Sequence, residues 1–143
     1  MLKNISLNSG YLLKICTLII METKQNDLII KNEKLYYSKL KFKHLKFINV
    51  DKIMFCKADG SYTNVYLIND KSFIISQRIK IINELLATSI FVRCHKSYIV
   101  NINYIIDFSS RKPFWVMLSN GEKVIVSERK RKATINKILY KNN

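Results

Sequence analysis

From Asp27 onward, apolar residues come in short runs, each closed by polar turn residues, a pattern that predicts strands. Leu28 to Lys31 and Leu35 to Leu40 are predicted strands separated by a turn at Asn32-Glu33-Lys34. Phe42 to Asn49 alternates loosely through Phe42, Leu45, Phe47 and Ile48. Ile53 to Lys57 and Tyr62 to Ile68 flank Ala58-Asp59-Gly60-Ser61, where Gly60 can supply a positive φ. Asn69-Asp70 turns the chain into Ser72 to Ile75. The period then changes. Ile79, Ile82, Leu85 and Leu86 recur at helical spacing, with Ser76 where an N-cap would stand and an end near Ala87-Thr88-Ser89. Strand patterning returns at Phe91 to Cys94, Tyr98 to Val100, Tyr104 to Phe108, Phe114 to Leu118 and Val124 to Val126, with Asn120-Gly121 as a hairpin signal. From Ser127, a basic run leads into Ile135, Ile138 and Leu139, which predicts a closing helix. The pattern as a whole predicts a mostly β chain with two short helices and one domain over residues 25–143.

Residues 1–24 fit neither period and stay unassigned. The apolar stretch Tyr11 to Met21 is interrupted by Lys14 and falls short of the roughly 20 residues of a membrane span. As a signal peptide it is weak, because Glu22-Thr23-Lys24-Gln25 follows instead of a small-residue cleavage site. A disordered leader and a non-native one preceding initiation at Met21 both stay open.

Composition narrows the function. The 143 residues carry a formal net charge of +15, with three Gly and one Pro, so the chain is neither low-complexity nor a linker. A compact core does not require that charge; on charge alone nucleic acid, an anionic membrane surface and a simply soluble Lys-rich chain with no such partner all remain open. Cys16, Cys56 and Cys94 are odd in number and none lies at CxxC spacing, which predicts buried, reduced thiols in a cytoplasmic protein. With His44 and His95 they make no plausible metal site. No nucleophile elbow, phosphate-binding loop or dinucleotide glycine pattern occurs, so no catalytic residue, cofactor or small-molecule substrate is expected.

The chemistry concentrates in Phe91-Val92-Arg93-Cys94-His95-Lys96-Ser97-Tyr98-Ile99-Val100-Asn101. Polar residues inside a strand run are costly unless they are paired or face a ligand. Arg93, His95, Lys96 and Ser97 form a donor set suited to phosphate oxygens and guanine edges, and equally to a solvent-facing loop with one satisfied histidine.

This stretch resembles the signature of LytTR DNA-binding domains, approximately F-x-R-x-H-[RKN]-S-[YF]-[IVL]-V-N. Asp51 to Thr63 resembles that family's strand–turn–strand block, and Val126-Ser127-Glu128-Arg129 its closing V-S-R, so the likeness runs from about Leu28 to Leu139. Lys57 stands where the family carries an acidic residue, and a glutamate separates Ser127 from Arg129. The resemblance implies an elongated fold of short strands in several small sheets. It implies a bacterial, response-regulator-like transcription regulator that reads double-stranded DNA through inter-strand loops, bends it, and binds direct repeats as two copies side by side, a homodimer on DNA.

Carried over by position, the base-contact residues are Thr63, with Asn64 adjacent, Lys96 and Arg129. Arg93, His95 and Ser97 fit phosphate contacts, and internal hydrogen bonding of Arg93 and His95 is the open alternative. Lys130, Arg131 and Lys132 add sequence-independent attraction. Tyr62 and Tyr98 are expected to pack in the core rather than stack on bases, and Phe114 and Trp115 to join the core or a partner patch. A receiver domain does not fit in residues 1–24, so any signal input is expected from a separate partner protein, from oligomerisation or from control of abundance. An RNA-binding module and a peripheral membrane or protein-interaction element using Tyr11 to Met21 are the alternatives.

Overall fold

The computed structural model describes residues 28–31, 34–38, 45–86 and 90–141. Strands β1 (Leu28–Lys31), β2 (Lys34–Ser38) and β3 (Leu45–Asn49) form a three-stranded antiparallel sheet in chain order. Next come β4 (Ile53–Asp59), β5 (Tyr62–Leu67), β6 (Ser72–Ile75), helix α1 (Ile79–Leu85), β7 (Phe91–His95) and β8 (Tyr98–Asn101), and these strands build a five-stranded antiparallel sheet in the order β6-β5-β4-β8-β7. Strands β9 (Ile105–Ser109), β10 (Trp115–Leu118) and β11 (Lys123–Ile125) make the last sheet, and α2 (Arg131–Lys141) closes the chain. The predicted leader, the centre of the first hairpin turn, Phe42 and the end of the first helix lie outside the described residues.

Central strand β4 explains the layering. Its first four residues, Ile53 to Cys56, are all buried, as happens when both faces of a sheet are covered. One face, through Cys56, Val65 and Ile99, packs on Ile79, Ile82 and Leu86 around α1. The other, through Phe55 and Val100, packs on Val116, Leu118 and Val124 of the last sheet and on Ile138 of α2. Full burial of each such side chain contributes about 1.5–3 kcal/mol. From Lys57 the strand emerges from this cover: Lys57 is exposed and Asp59 reaches solvent.

Turn chemistry follows the glycine signals. Gly60 holds φ at 57° in the two-residue loop between paired Asp59 and Tyr62. Gly121, at φ 86°, closes the β10–β11 hairpin, where the Asn120 side chain accepts from the Glu122 N–H. The first helix starts later than its sequence signal. Ser76 is not its cap; Arg78 is, because the Gln77 carbonyl accepts the Thr63 hydroxyl at 2.8 Å, leaving residues 76–78 outside the helix. Three tethers bind the layers. The Tyr104 hydroxyl donates to the Asp51 carbonyl, Lys137 Nζ to the Phe91 carbonyl, and Lys141 Nζ to the Ile102 carbonyl at 3.2 Å. Burial lowers the Lys137 ammonium below the ordinary lysine value.

Among the described residues no helix is long and apolar enough to cross a membrane, and no group of His, Cys, Asp or Glu could hold a metal ion. Cys56 and Cys94 are buried free thiols, and desolvation pushes both up to about 12. With Cys16 replaced by serine, neither thiol is expected to react with an aromatic disulfide reagent until denaturant unfolds the chain. A native thiol reacting as fast as free cysteine would contradict the packing described.

Candidate nucleic-acid interface

The polar stretch after Phe91 folds into a hairpin end that contains no glycine. His95 pairs with Tyr98, leaving Lys96-Ser97 as the loop. The loop is braced by its neighbours: Arg93 donates to the Lys96 carbonyl at 2.9 Å, and His95 Nδ1 accepts from the Ser97 N–H at 3.1 Å. The Ser97 carbonyl in turn accepts from the Ala58 N–H at 2.8 Å, which ties this loop to the β4–β5 hairpin. With its backbone fixed on both sides, Lys96 stands exposed at the tip. Arg93 and His95 thus make the internal bonds considered from sequence, while further guanidinium donors and His95 Nε2 are not used by those bonds.

The closing segment meets the same place. The Ser127 N–H donates to the Cys94 carbonyl at 2.9 Å, and its hydroxyl reaches the same oxygen at 3.4 Å. Ser127 therefore acts as an anchor, not as a side-chain cap, for the 3₁₀ turn Glu128–Lys130. Glu128 turns to Lys112, forming an exposed ion pair at 2.8 Å that is worth little in water. Arg129 and Lys130 are left exposed. The Arg131 guanidinium lies 4.7 Å over the Phe114 ring, an exposed cation stacked on the edge of the core.

Thr63 requires a correction. It is 0% exposed and its hydroxyl is spent on Gln77, so in this fold its methyl cannot reach a base. Successive strand residues face opposite ways. Thr63 and Val65 face α1, and Asn64 faces outward, half-buried. The alternation Thr63-Asn64-Val65 carried this signal in the sequence. Tyr62, expected in the core, is 48% exposed, whereas Tyr98 packs partly against the second core cluster. Phe114 is buried there, as expected, and Trp115 is half-buried with the Lys123 ammonium 4.4 Å above its ring.

Sequence reasoning did not place Lys57 in the site. Its register partners are Asn64 on β5 and Tyr98 on β8, and its ammonium lies 5.8 Å from the Tyr98 ring centroid. The Tyr98 hydroxyl beside it holds the ammonium above the ordinary lysine value. The structure therefore gathers Lys96, Asn64, Lys57 and the Arg129 turn around the same end of the five-stranded sheet, through the Ala58–Ser97 and Ser127–Cys94 bonds. The signature's last residue, Asn101, is absent from that surface. It is fully buried, donating to the Ile53 carbonyl at 2.9 Å and accepting from the Asn103 N–H at 3.0 Å.

A family model for the LytTr DNA-binding domain matches residues 43–139. Among solved structures, the chain is similar to the LytTr DNA-binding domain of a protein assigned as a methyl-accepting/DNA response regulator from Bacillus cereus. The two share 23% identity at a TM-score of 0.60, over 76% of this chain and 98% of that one, which establishes a common mostly β fold. A search of curated proteins gives no match.

Proposed function

The chain belongs to the LytTr DNA-binding domain family, and from that membership we propose that it is a cytoplasmic transcription regulator that recognises specific sequences in double-stranded DNA. The observation that carries this reading is a glycine-free loop whose backbone is braced by Arg93, His95 and Ala58 while Lys96 is left free at its tip. Bracing of that kind orders a side chain before it meets its ligand, which lowers the entropy cost of binding. Lys96 and the nearby Arg129 supply donors for guanine O6 and N7, and Asn64 suits adenine. Lys130, Arg131 and His95 Nε2 offer phosphate contacts that set position without reading sequence. Two copies bind direct repeats side by side, and a separate partner protein supplies the signal.

Selection from a random duplex pool tests this directly: a defined motif is expected to emerge, and enrichment of nothing would end the proposal. Affinity for the selected duplex should fall with salt at a slope of about −0.9 per phosphate neutralised. Lys130→Ala is expected to weaken selected and scrambled duplexes by the same factor, read by fluorescence anisotropy. A change confined to the selected duplex would make Lys130 a base-reading residue instead. Single-stranded RNA in the same buffer should bind more weakly than the selected duplex.

A further inference from the structure

Strand register places five side chains in one row across the five-stranded sheet. Ile74 pairs with Asn64, Asn64 with Lys57, Lys57 with Tyr98, and Tyr98 with His95. Directly opposed residues on antiparallel strands share a face. This is the face that the last sheet and α2 cover further along, at Phe55 and Val100. The row lies at the edge of that cover, with Tyr98 packed against it and the other four residues beyond. Lys57 is exposed, Ile74 is 63% exposed, and Asn64, Tyr98 and His95 are half-buried.

We propose that Lys57 is a phosphate-contacting residue of the DNA interface, so that the bare end of this sheet face, and not the loops alone, meets the duplex. The proposal rests on the DNA-reading function above and extends it to a residue outside the loops. Three observations support it. Lys57 stands between Asn64 and the strand that leads from the Lys96 loop, with neighbouring strands about 5 Å apart. Its neighbour Ala58 is bonded to the Ser97 carbonyl, which fixes Lys57 beside that loop. The row itself contains no carboxylate, and the nearest acidic influence on Lys57 is a minor one from Glu122 on the β10–β11 hairpin. The row offers the Lys57 ammonium, the Tyr98 hydroxyl and His95 Nε2 on three adjacent strands, since His95 Nδ1 is held by the Ser97 N–H. Converging donors with one full positive charge suit a phosphate oxygen better than a base edge, which asks for a planar pair of partners.

Lys57→Gln and Lys57→Glu in the full chain test the assignment. Anisotropy titrations over a salt series would use the pool-selected duplex and a scrambled duplex of equal composition, with Lys123→Gln, on the last sheet, as the reference variant. Lys57→Gln is expected to lower affinity for both duplexes by the same factor, about fivefold or more, and to make the salt slope shallower by about 0.9. Lys57→Glu should weaken both further, and Lys123→Gln should leave the slope unchanged. Unchanged slope and affinity in Lys57→Gln would overturn the proposal while leaving the function intact, provided Lys96→Ala still weakens binding. A shifted motif in a repeat selection with Lys57→Gln would overturn it too, by making Lys57 a base reader. If the unaltered chain itself binds neither duplex, the function fails first.

Discussion

Asn101→Leu is expected to destabilise the folded chain by about 3 kcal/mol, the largest stability loss from any single polar change in the signature. Leucine is similar in size but can neither donate to the Ile53 carbonyl nor accept from the Asn103 N–H, the two bonds Asn101 makes at 0% exposure. A buried backbone carbonyl left without a partner costs its desolvation penalty, about 1–3 kcal/mol, and loss of the second bond adds to it. The damage would spread, because Ile53 opens β4 and Asn101 ends β8, so one amide holds the central strand to the start of the 3₁₀ turn Ile102–Tyr104. Thermal unfolding followed by circular dichroism should show a midpoint lower by roughly 10 °C. A shift within the error of the measurement would mean that solvent or a rearranged turn replaces the amide.

Lys96→Ala and Arg129→Ala carry the largest expected effects on binding. Both side chains are exposed on backbone fixed by other residues, so the substitutions leave the fold intact and remove only what the tips contribute. Each good base contact discriminates by about 1–3 kcal/mol. Selection with either variant should return a motif in which one position, different for the two variants, has become degenerate. Arg129 should show the stronger effect, because its guanidinium can offer two parallel donors where an ammonium offers a point charge. Equal losses on selected and scrambled duplexes would show that these residues grip the backbone and do not read bases.

The difference between what the sequence revealed and what it hid follows from the range of each interaction. Hairpins were legible because alternation and a turn glycine are local: Gly60 and Gly121 both take the positive φ their positions suggested. The helix that opens at Ile79 was legible as a helix but not at its start, since the Thr63 hydroxyl that claims the Gln77 carbonyl lies fourteen residues away. The same bond turns Thr63 into the core. Within Phe91 to Asn101 the chemistry was visible but the division of labour was not. Arg93, His95 and Asn101 turn toward backbone atoms and Lys96 turns out, and only the closed hairpin decides which does which. Lys57 was hidden for a related reason. Its partnership with Tyr98 depends on β4 pairing with β8 across some forty residues, a register no local pattern encodes.

The oxygen of Cys94 receives both the N–H and the hydroxyl of Ser127, one residue before the loop that carries Arg129 and two before Lys96. Under the proposed function, the two segments that present Lys96 and Arg129 are joined at this one oxygen, so their backbones keep a fixed spacing. Adding one base pair between the positions they read would displace the second by about 3.4 Å and turn it by roughly 35° around the helix axis. Backbone tied together this closely does not follow such a step, so the sites this proposal expects should vary in letters far more readily than in length.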